Sequence, residues 1–329
     1  MLSESQETVI EKADSSDTAL EAPFTVVTAR VDLVEHPCPN FVRVHFVGPG
    51  INGVGTPGKT LDQRVKLIFP SDHGTLPDIV GAGGDWYQAW LAVPSTRRGA
   101  MRTYSIRELQ VIGGHTRLII DFVLHLAPGK TGPASLWASQ AKVGDELLLV
   151  GPRRGRFDGG GIEFDPGSAK TILLAGDETA APAIARILED VDPATKGVAF
   201  IEVPSPSDVL DIRVPSGVEV HWLPRSASSH GAELIPRVLG HLGAQSHVHI
   251  ADDGTENLVW ETPGFSASGE EIVAEGGADE NRDADCYYWI AGESRVVTTL
   301  RRHLVKDLGI ARAQVAFMGY WRQGVAMKG

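Results

Sequence analysis

TILLAGDETAAPAIARILED, residues 171–190, decides the architecture. TILLAG (171–176) is apolar without alternation, as expected of a strand covered on both faces. GDET (176–179) supplies the turn, and PAIARILED (182–190) has the pattern of a helix. The same grammar continues down the chain. GVAFIEVP (197–204), VEVHWLP (218–224), CYYWIAG (286–292) and QVAFMGYW (314–321) read as strands, with a helix SRVVTTLRRHLVKDLG (294–309) before the last. Strands alternating with helices predict a parallel sheet clothed on both sides.

Upstream of GGGIEFDPG (159–167) the period is two. FVRVHFV (41–47), RVKLIF (64–69), MRTYSIR (101–107), RLIIDFVLH (117–125) and ELLLVG (146–151) are short runs bounded by turn residues. That pattern predicts an antiparallel sheet closed into a small barrel. One helix interrupts it, GPASLWASQA (132–141), with Pro133 suited to a first turn. The expected organisation is an acidic, aperiodic tail over 1–22, a barrel domain over 23–166 and an α/β domain over 167–329.

The net charge of −12 is unevenly spread. Residues 1–22 carry −5 and residues 252–285 carry −10, leaving the rest at +3. The stretch 252–285 reads as an acidic surface insertion in the second domain. A mildly basic body without a clustered Lys/Arg excess argues against nucleic acid. No apolar run reaches the ~18 residues of a membrane helix. Cys38 and Cys286 build neither a cluster site nor a disulfide framework, so the cytoplasm is the expected compartment.

Three local features carry chemistry. In RTYS, Arg102 and Tyr104 project to one face of a strand, a phosphate-pairing guanidinium beside a flat ring, with Ser105 as a hydrogen-bonding neighbour. This suits a flavin dinucleotide, although these four residues alone read more simply as a surface arginine beside a half-buried tyrosine. In DFVLH followed by GPAS, the helix start at Ala134 and Ser135 offers amides to a pyrophosphate, or is an ordinary cap. In LAGDET, a strand-to-helix turn suits a second dinucleotide at the edge of a parallel sheet, although it lacks G-x-G-x-x-G and its Asp177 and Glu178 would repel phosphate they faced. The later turn Ala291-Gly292-Glu293-Ser294 is its parallel, and the two could flank a nicotinamide. His247 and His249, with His241 nearby, could be considered as metal ligands but have no completing spacing. The run Gly81–Gly84 reads as a loop, and Ser135 lies in no nucleophile elbow.

RTYS, DFVLH, GPASLWA, AGDETA-x-PAIARIL, WLPR, WIAGES and FMGYWRQG occur here in the order found in siderophore-interacting proteins, which this chain resembles over roughly 24–250 and 286–324. These are flavin-dependent ferric-siderophore reductases related to the ferredoxin–NADP reductase superfamily. The resemblance implies an N-terminal Greek-key FAD-binding barrel followed by an NAD(P)H-binding α/β domain. It implies FAD contacts from Arg102, Tyr104, Ser105, Asp121, Val123, His125, Ala134, Ser135, Asp177, Thr179, Tyr320 and Trp321. It assigns Gly176, Arg225, Ser226, Ala291, Gly292, Glu293 and Ser294 to NAD(P)H, with Arg225 and Ser226 tilting towards the 2′-phosphate of NADPH over NADH. Lys66, Arg153, Arg154 and Arg322 become the basic pocket for an anionic ferric siderophore. The departures are the two acidic segments and a longer HLAPGKTGPAS turn (125–135).

The expected activity is hydride transfer from NAD(P)H to FAD, then single-electron reduction of chelated Fe(III), with no catalytic residue beyond the flavin and no metal ligand. The competing readings are a flavin reductase serving a separate electron-carrier protein or oxygenase, and a siderophore-binding module without turnover.

Overall fold

The computed structural model describes residues 21–56, 58–126, 131–158, 160–244, 258–263, 265–266 and 286–325. The first sheet contains β1 (Phe24–Cys38), β2 (Phe41–Val47), β3 (Arg64–Ile68), β4 (Met101–Ser105), β5 (Glu108–Ile112), β6 (His115–Val123) and β7 (Glu146–Pro152). All its pairings are antiparallel, in the order β4-β3-β7-β1-β2-β6-β5. The two outermost strands, β4 and β5, are consecutive in sequence and joined by Ile106 and Arg107 alone. A sheet with such ends has to curl until they meet. The joint itself seals the seam: Ile106 N donates to Gln63 O just before β3, and Arg107 N to Ile119 O on β6. The barrel expected from the period-two runs is therefore present.

Two helices cover the barrel. The chain from 70 to 100, with its short helix α1 (Trp86–Ala92), seats the buried Trp90 against Val26, Ile68, Met101, Leu148 and Val150 on the outer face. The loop reading of Gly81–Gly84 holds, since these residues precede α1 outside any element. Helix α2 (Pro133–Gln140) packs Ala134, Trp137 and Ala138 onto the barrel core.

The second sheet is built from β8 (Thr171–Gly176), β9 (Lys196–Val203), β10 (Gly217–Pro224), β11 (Trp260–Thr262), β12 (Phe265–Ser266), β13 (Cys286–Glu293) and β14 (Val315–Trp321). Its order is β10-β9-β8-β13-β14-β11-β12. The first five strands in that order are parallel, flanked by α3 (Ala181–Asp190), α4 (Leu234–His241) and α5 (Ser294–Arg301). The long helix expected over 294–309 changes to a π-helical turn at Arg302–Asp307. The expected parallel sheet also carries an antiparallel edge. The short hairpin β11–β12 adds to β14 antiparallel, Trp260 facing Met318. Part of the acidic stretch thus covers an edge that β14 would otherwise leave unpaired. Residues 252–257, 264 and 267–285 of that stretch lie outside the described residues, as do residues 1–20, His247, His249 and residues 127–130 of the turn before α2.

The halves share a core and a chain of charges. Cys38, Phe41 and Val123 from the barrel pack with Phe164, Leu174 and Ile184. Arg107, in the seam of the barrel, makes two 2.8 Å bonds to Glu189 of α3. Asp190 accepts from the amides of Thr60 and Leu61 at 2.7 and 2.8 Å. Asp208 takes Asn40 through both backbone and side chain.

Candidate functional site

The strand order of the second sheet reverses at β8: β9 and β10 continue to one side, β13 and β14 to the other. A crevice opens at such a switch point beyond the carboxyl ends of the strands, where ligands of open α/β sheets bind. The two turns singled out in the sequence, after Gly176 and after Ala291, stand side by side there. Close approach explains their glycines. A Cβ on Gly176 would sit 2.7 Å from Ala291 O, and one on Gly292, at φ +137°, 2.7 Å from the Asp177 carboxylate.

Asp177 is the knot of this corner. Its Oδ1 accepts from Thr179 N and Oγ1 at 2.9 and 2.5 Å, and its Oδ2 from Glu293 N at 2.7 Å and the Trp321 indole N–H at 2.8 Å. Burial and the neighbouring Glu178 push its carboxyl up from the ordinary range. Glu293 caps α5 through the Arg295 and Val296 amides, while Ser294 Oγ receives Val259 N. Four of the residues assigned to NAD(P)H, Gly176, Gly292, Glu293 and Ser294, are thus brought together with Asp177 and Thr179.

Trp321 also reaches the barrel. Its ring centroid lies 5.8 Å from His125, just past the end of β6, and 4.7 Å from His230 in a T-shaped contact. Burial pushes the His125 imidazole down, against the opposing pull of Glu178 and Asp177. Tyr320 goes the other way, its ring stacked 6.1 Å from Trp260 and edge-on to Trp289 at 6.4 Å. Of the two terminal aromatics Trp321 meets His125, while Tyr320 packs on Trp260 and Trp289, which in turn touch Arg64 and Asp62. The alternation of a strand made that split unavoidable.

On β4, Arg102 and Tyr104 pair with Leu67 and Val65 of β3, whose side chains belong to the barrel core. They share one face, as the spacing required. Ser105 shares the other face with Thr103, opposite Arg64 and Lys66. Phe122 lies 4.6 Å from the Tyr104 ring and 5.7 Å from Trp137 of α2, so one phenyl ring ties the RTYS strand to the helix beginning at Pro133. Arg102 is half-buried, and its hydrogen bond is to the neighbouring Met101 carbonyl at 2.7 Å; among the described residues it meets no carboxylate. Burial lowers its guanidinium's affinity for the proton. Helix α2 starts at Gly132 without a side-chain cap. A partly desolvated cation lacking a counter-ion, an uncapped helix start and a flat phenol form a donor set suited to a flavin dinucleotide pyrophosphate.

Several assigned residues stand elsewhere. Asp121 turns to the opposite face of β6 from Phe122, where Arg43 holds it through 2.7 and 2.8 Å bonds and Arg107 lies 3.7 Å away. Val123 shares that face and packs between the domains. Neither side chain lies on the Tyr104 face. The Ser135 hydroxyl accepts from His125 N at 2.7 Å, closing the end of β6, so Ala134 and Ser135 offer a pyrophosphate their backbone. Arg225 forms a buried bidentate pair with Glu178 at 2.6 and 2.7 Å, and Ser226, at φ +54°, donates its amide to Pro204 O. Burial would raise Glu178, but His230 and Arg225 hold it down to about 2.

The basic group is dispersed. Lys66 donates to Thr103 Oγ1 at 3.1 Å on the outer face, and burial lowers its ammonium. Arg153 donates to Ala22 O, and Arg154 to Thr116 Oγ1 at 2.6 Å. Thr116 precedes Val123 by seven strand residues, a rise of about 23 Å, so Arg154 sits at the far end of β6 from His125. Arg322 is buried just after Trp321. His230 and Glu202 escaped the sequence reading: a lone histidine in SASSHG and one acid inside an apolar strand carry no pattern.

With this geometry in place, comparisons with known proteins identify the lineage. The profile described as siderophore-interacting protein matches residues 169–324, and that described as siderophore-interacting FAD-binding domain matches 30–156. An uncharacterized protein of Mycobacterium tuberculosis (strain ATCC 25618 / H37Rv) is 31% identical over 92% of this chain and 90% of its own length. The ferric vibriobactin reductase ViuB of Vibrio cholerae (El Tor Inaba N16961) is 26% identical over 87% of this chain and 85% of its own. Among solved structures, a siderophore utilization protein from T. fusca superposes with a TM-score of 0.63 at 25% identity, covering 93% of this chain and 96% of that one. Among the described residues no helix is long and apolar enough to cross a membrane. The chain belongs to the siderophore-interacting protein family and carries that family's FAD-binding domain ahead of its second, α/β half.

Proposed function

We propose that this chain reduces ferric siderophores with electrons from a nicotinamide nucleotide, releasing iron(II) in the cytoplasm, where such donors are held. The observation that carries the reading is the position of Trp321, 5.8 Å from His125 on the barrel and bonded to Asp177 at the switch point. The corner suited to a flavin and the corner suited to a dinucleotide meet on one indole ring. Similarity to the ferric vibriobactin reductase of Vibrio cholerae supports the substrate class.

Bound FAD supplies the conversion of one hydride into two single electrons, so one NAD(P)H reduces two ferric ions to two ferrous ions and releases one proton. The chain positions and excludes water. Arg102 and the first amides of α2 would hold the pyrophosphate, and Tyr104 would offer its ring to the flavin. Thr179, fixed by Asp177, and the two glycine turns would shape the floor on which the donor meets it. Trp321 shields that junction from solvent. Lys66, without a carboxylate partner among the described residues, supplies attraction for an anionic chelate, with Arg322 behind the junction.

The purified protein should show flavin bands that bleach under anaerobic NADH or NADPH and return on adding a ferric siderophore. Bleaching without return means that a separate carrier protein takes the electrons. A colourless protein that cannot be loaded with FAD would leave only a binding module.

A further inference from the structure

Two devices that bind phosphate stand at the carboxyl ends of β9 and β10, beside the dinucleotide corner: a guanidinium, Arg225, and the N-terminus of α4. Both are filled from within the chain. Arg225 spends its two terminal nitrogens on Glu178, and that carboxylate is wholly buried. The α4 entrance is filled by Glu202, at the end of β9 and equally buried. Its Oε2 accepts from Gly231 N at 2.8 Å, and its Oε1 from Glu233 N and Leu234 N at 3.1 and 3.2 Å. The backbone between the two is taken as well: Arg225 N donates to Val203 O at 2.9 Å and Ser226 N to Pro204 O at 3.1 Å.

The charge balance agrees. Asp177, Glu178 and Glu202 are buried at the ends of β8 and β9, and Arg225 is the buried guanidinium set among them. Among the described residues, a phosphomonoester dianion entering here meets three buried carboxylates, with Arg225 already paired and the α4 entrance already filled. A ribose carrying a plain 2′-hydroxyl brings no such charge.

We infer that the donor selected by this chain is NADH, not NADPH, and that Glu178 and Glu202 set the preference by occupying the two groups that would otherwise hold a 2′-phosphate. The inference rests on the nicotinamide donor proposed above. Glu178 and Glu202 act through Arg225 and α4, and so are positioning residues. This reverses the direction in which WLPR pointed when Arg225 was read without its partner.

The test is equilibrium binding to the FAD-loaded protein, free of turnover. ADP-ribose and its 2′-phosphorylated form are titrated calorimetrically into wild type and into Glu178→Gln. Wild type should bind ADP-ribose about tenfold or more tightly than the phosphorylated form, a gap of roughly 1.4 kcal/mol. Glu178→Gln frees Arg225, and the ratio should fall by about tenfold in favour of the phosphorylated ligand. Equal affinities, or preference for the phosphate, in wild type overturn the inference and leave the nicotinamide donor standing. An unchanged ratio in the variant overturns the role of Glu178. Failure of both ligands to bind overturns the donor itself, and the inference with it. The wild-type ratio needs no variant to fold, and Glu202→Gln, which withdraws charge from α4, reads the same ratio by a second route.

Discussion

The barrel and the α/β half each hold a partly or fully buried guanidinium and a helix start, and they leave the two in opposite states. In the barrel, Arg102 has a backbone carbonyl for company and α2 begins without a cap. In the second half, Arg225 is clamped by Glu178, and α4 receives Glu202 across three amides. The same residue types therefore leave an open donor set in one place and a finished piece of architecture in the other. What separates them is the carboxylate that arrives from elsewhere in the chain.

The comparison is most exposed to substitution at the closed corner. Arg225→Met leaves the buried Glu178 only the more distant His230, 3.4 Å away, and should cost about 3–5 kcal/mol of stability, read from urea unfolding. A loss below about 1 kcal/mol would mean that the corner is not closed.

At the open corner the loss should fall on the ligand. Arg102→Met should weaken FAD binding by about 1.5–3 kcal/mol, near tenfold to a hundredfold, while the flavin-free protein keeps its stability within about 0.5 kcal/mol. Flavin titration and unfolding of the stripped protein separate the two effects.

Acid sharpens the contrast. The Glu178 carboxyl is held at about 2 in the fold, against 4.5 for the free side chain. A depressed carboxylate contributes stability that is fully present above its unfolded value and is lost as pH falls through the folded one. Wild type should thus lose stability relative to Glu178→Gln between pH 4.5 and about 2, and the two curves should run parallel above that window.

The smallest effect belongs to Ser135. Its hydroxyl closes the end of β6, so Ser135→Ala should cost about 1 kcal/mol of stability and leave FAD affinity nearly unchanged. A large loss of flavin with no loss of stability would return that hydroxyl to the pyrophosphate.

Much of this molecule was legible from its residues because the deciding signals are local. Period-two runs gave the barrel strands, unbroken apolar runs gave the parallel ones, and the GDET and GES turns fell at the switch point. Short or partnered pieces were not. Helix α1, with seven residues, and the hairpin β11–β12 are too brief to establish a period. The partners of Asp121 and Arg225 lie 78 and 47 residues away, and a charge in a sequence does not announce what will neutralise it. Hence the shared face of Arg102 and Tyr104 is legible in the residue spacing, whereas the pairing of Asp121 with Arg43 is not.

The carboxylate of Asp177 has a consequence for how the molecule is made. Two of its donors, Glu293 N and Trp321 Nε1, lie 116 and 144 residues downstream. At about 5–20 residues per second, the last arrives roughly 7–30 s after Asp177 is synthesised. The barrel strands end at Pro152, so all their residues have been made before Asp177 is added. On a ribosome the FAD-binding half can be finished while the switch-point corner still waits for its final strand. Under the proposed function, the chain would acquire its cofactor site before the means of reducing it.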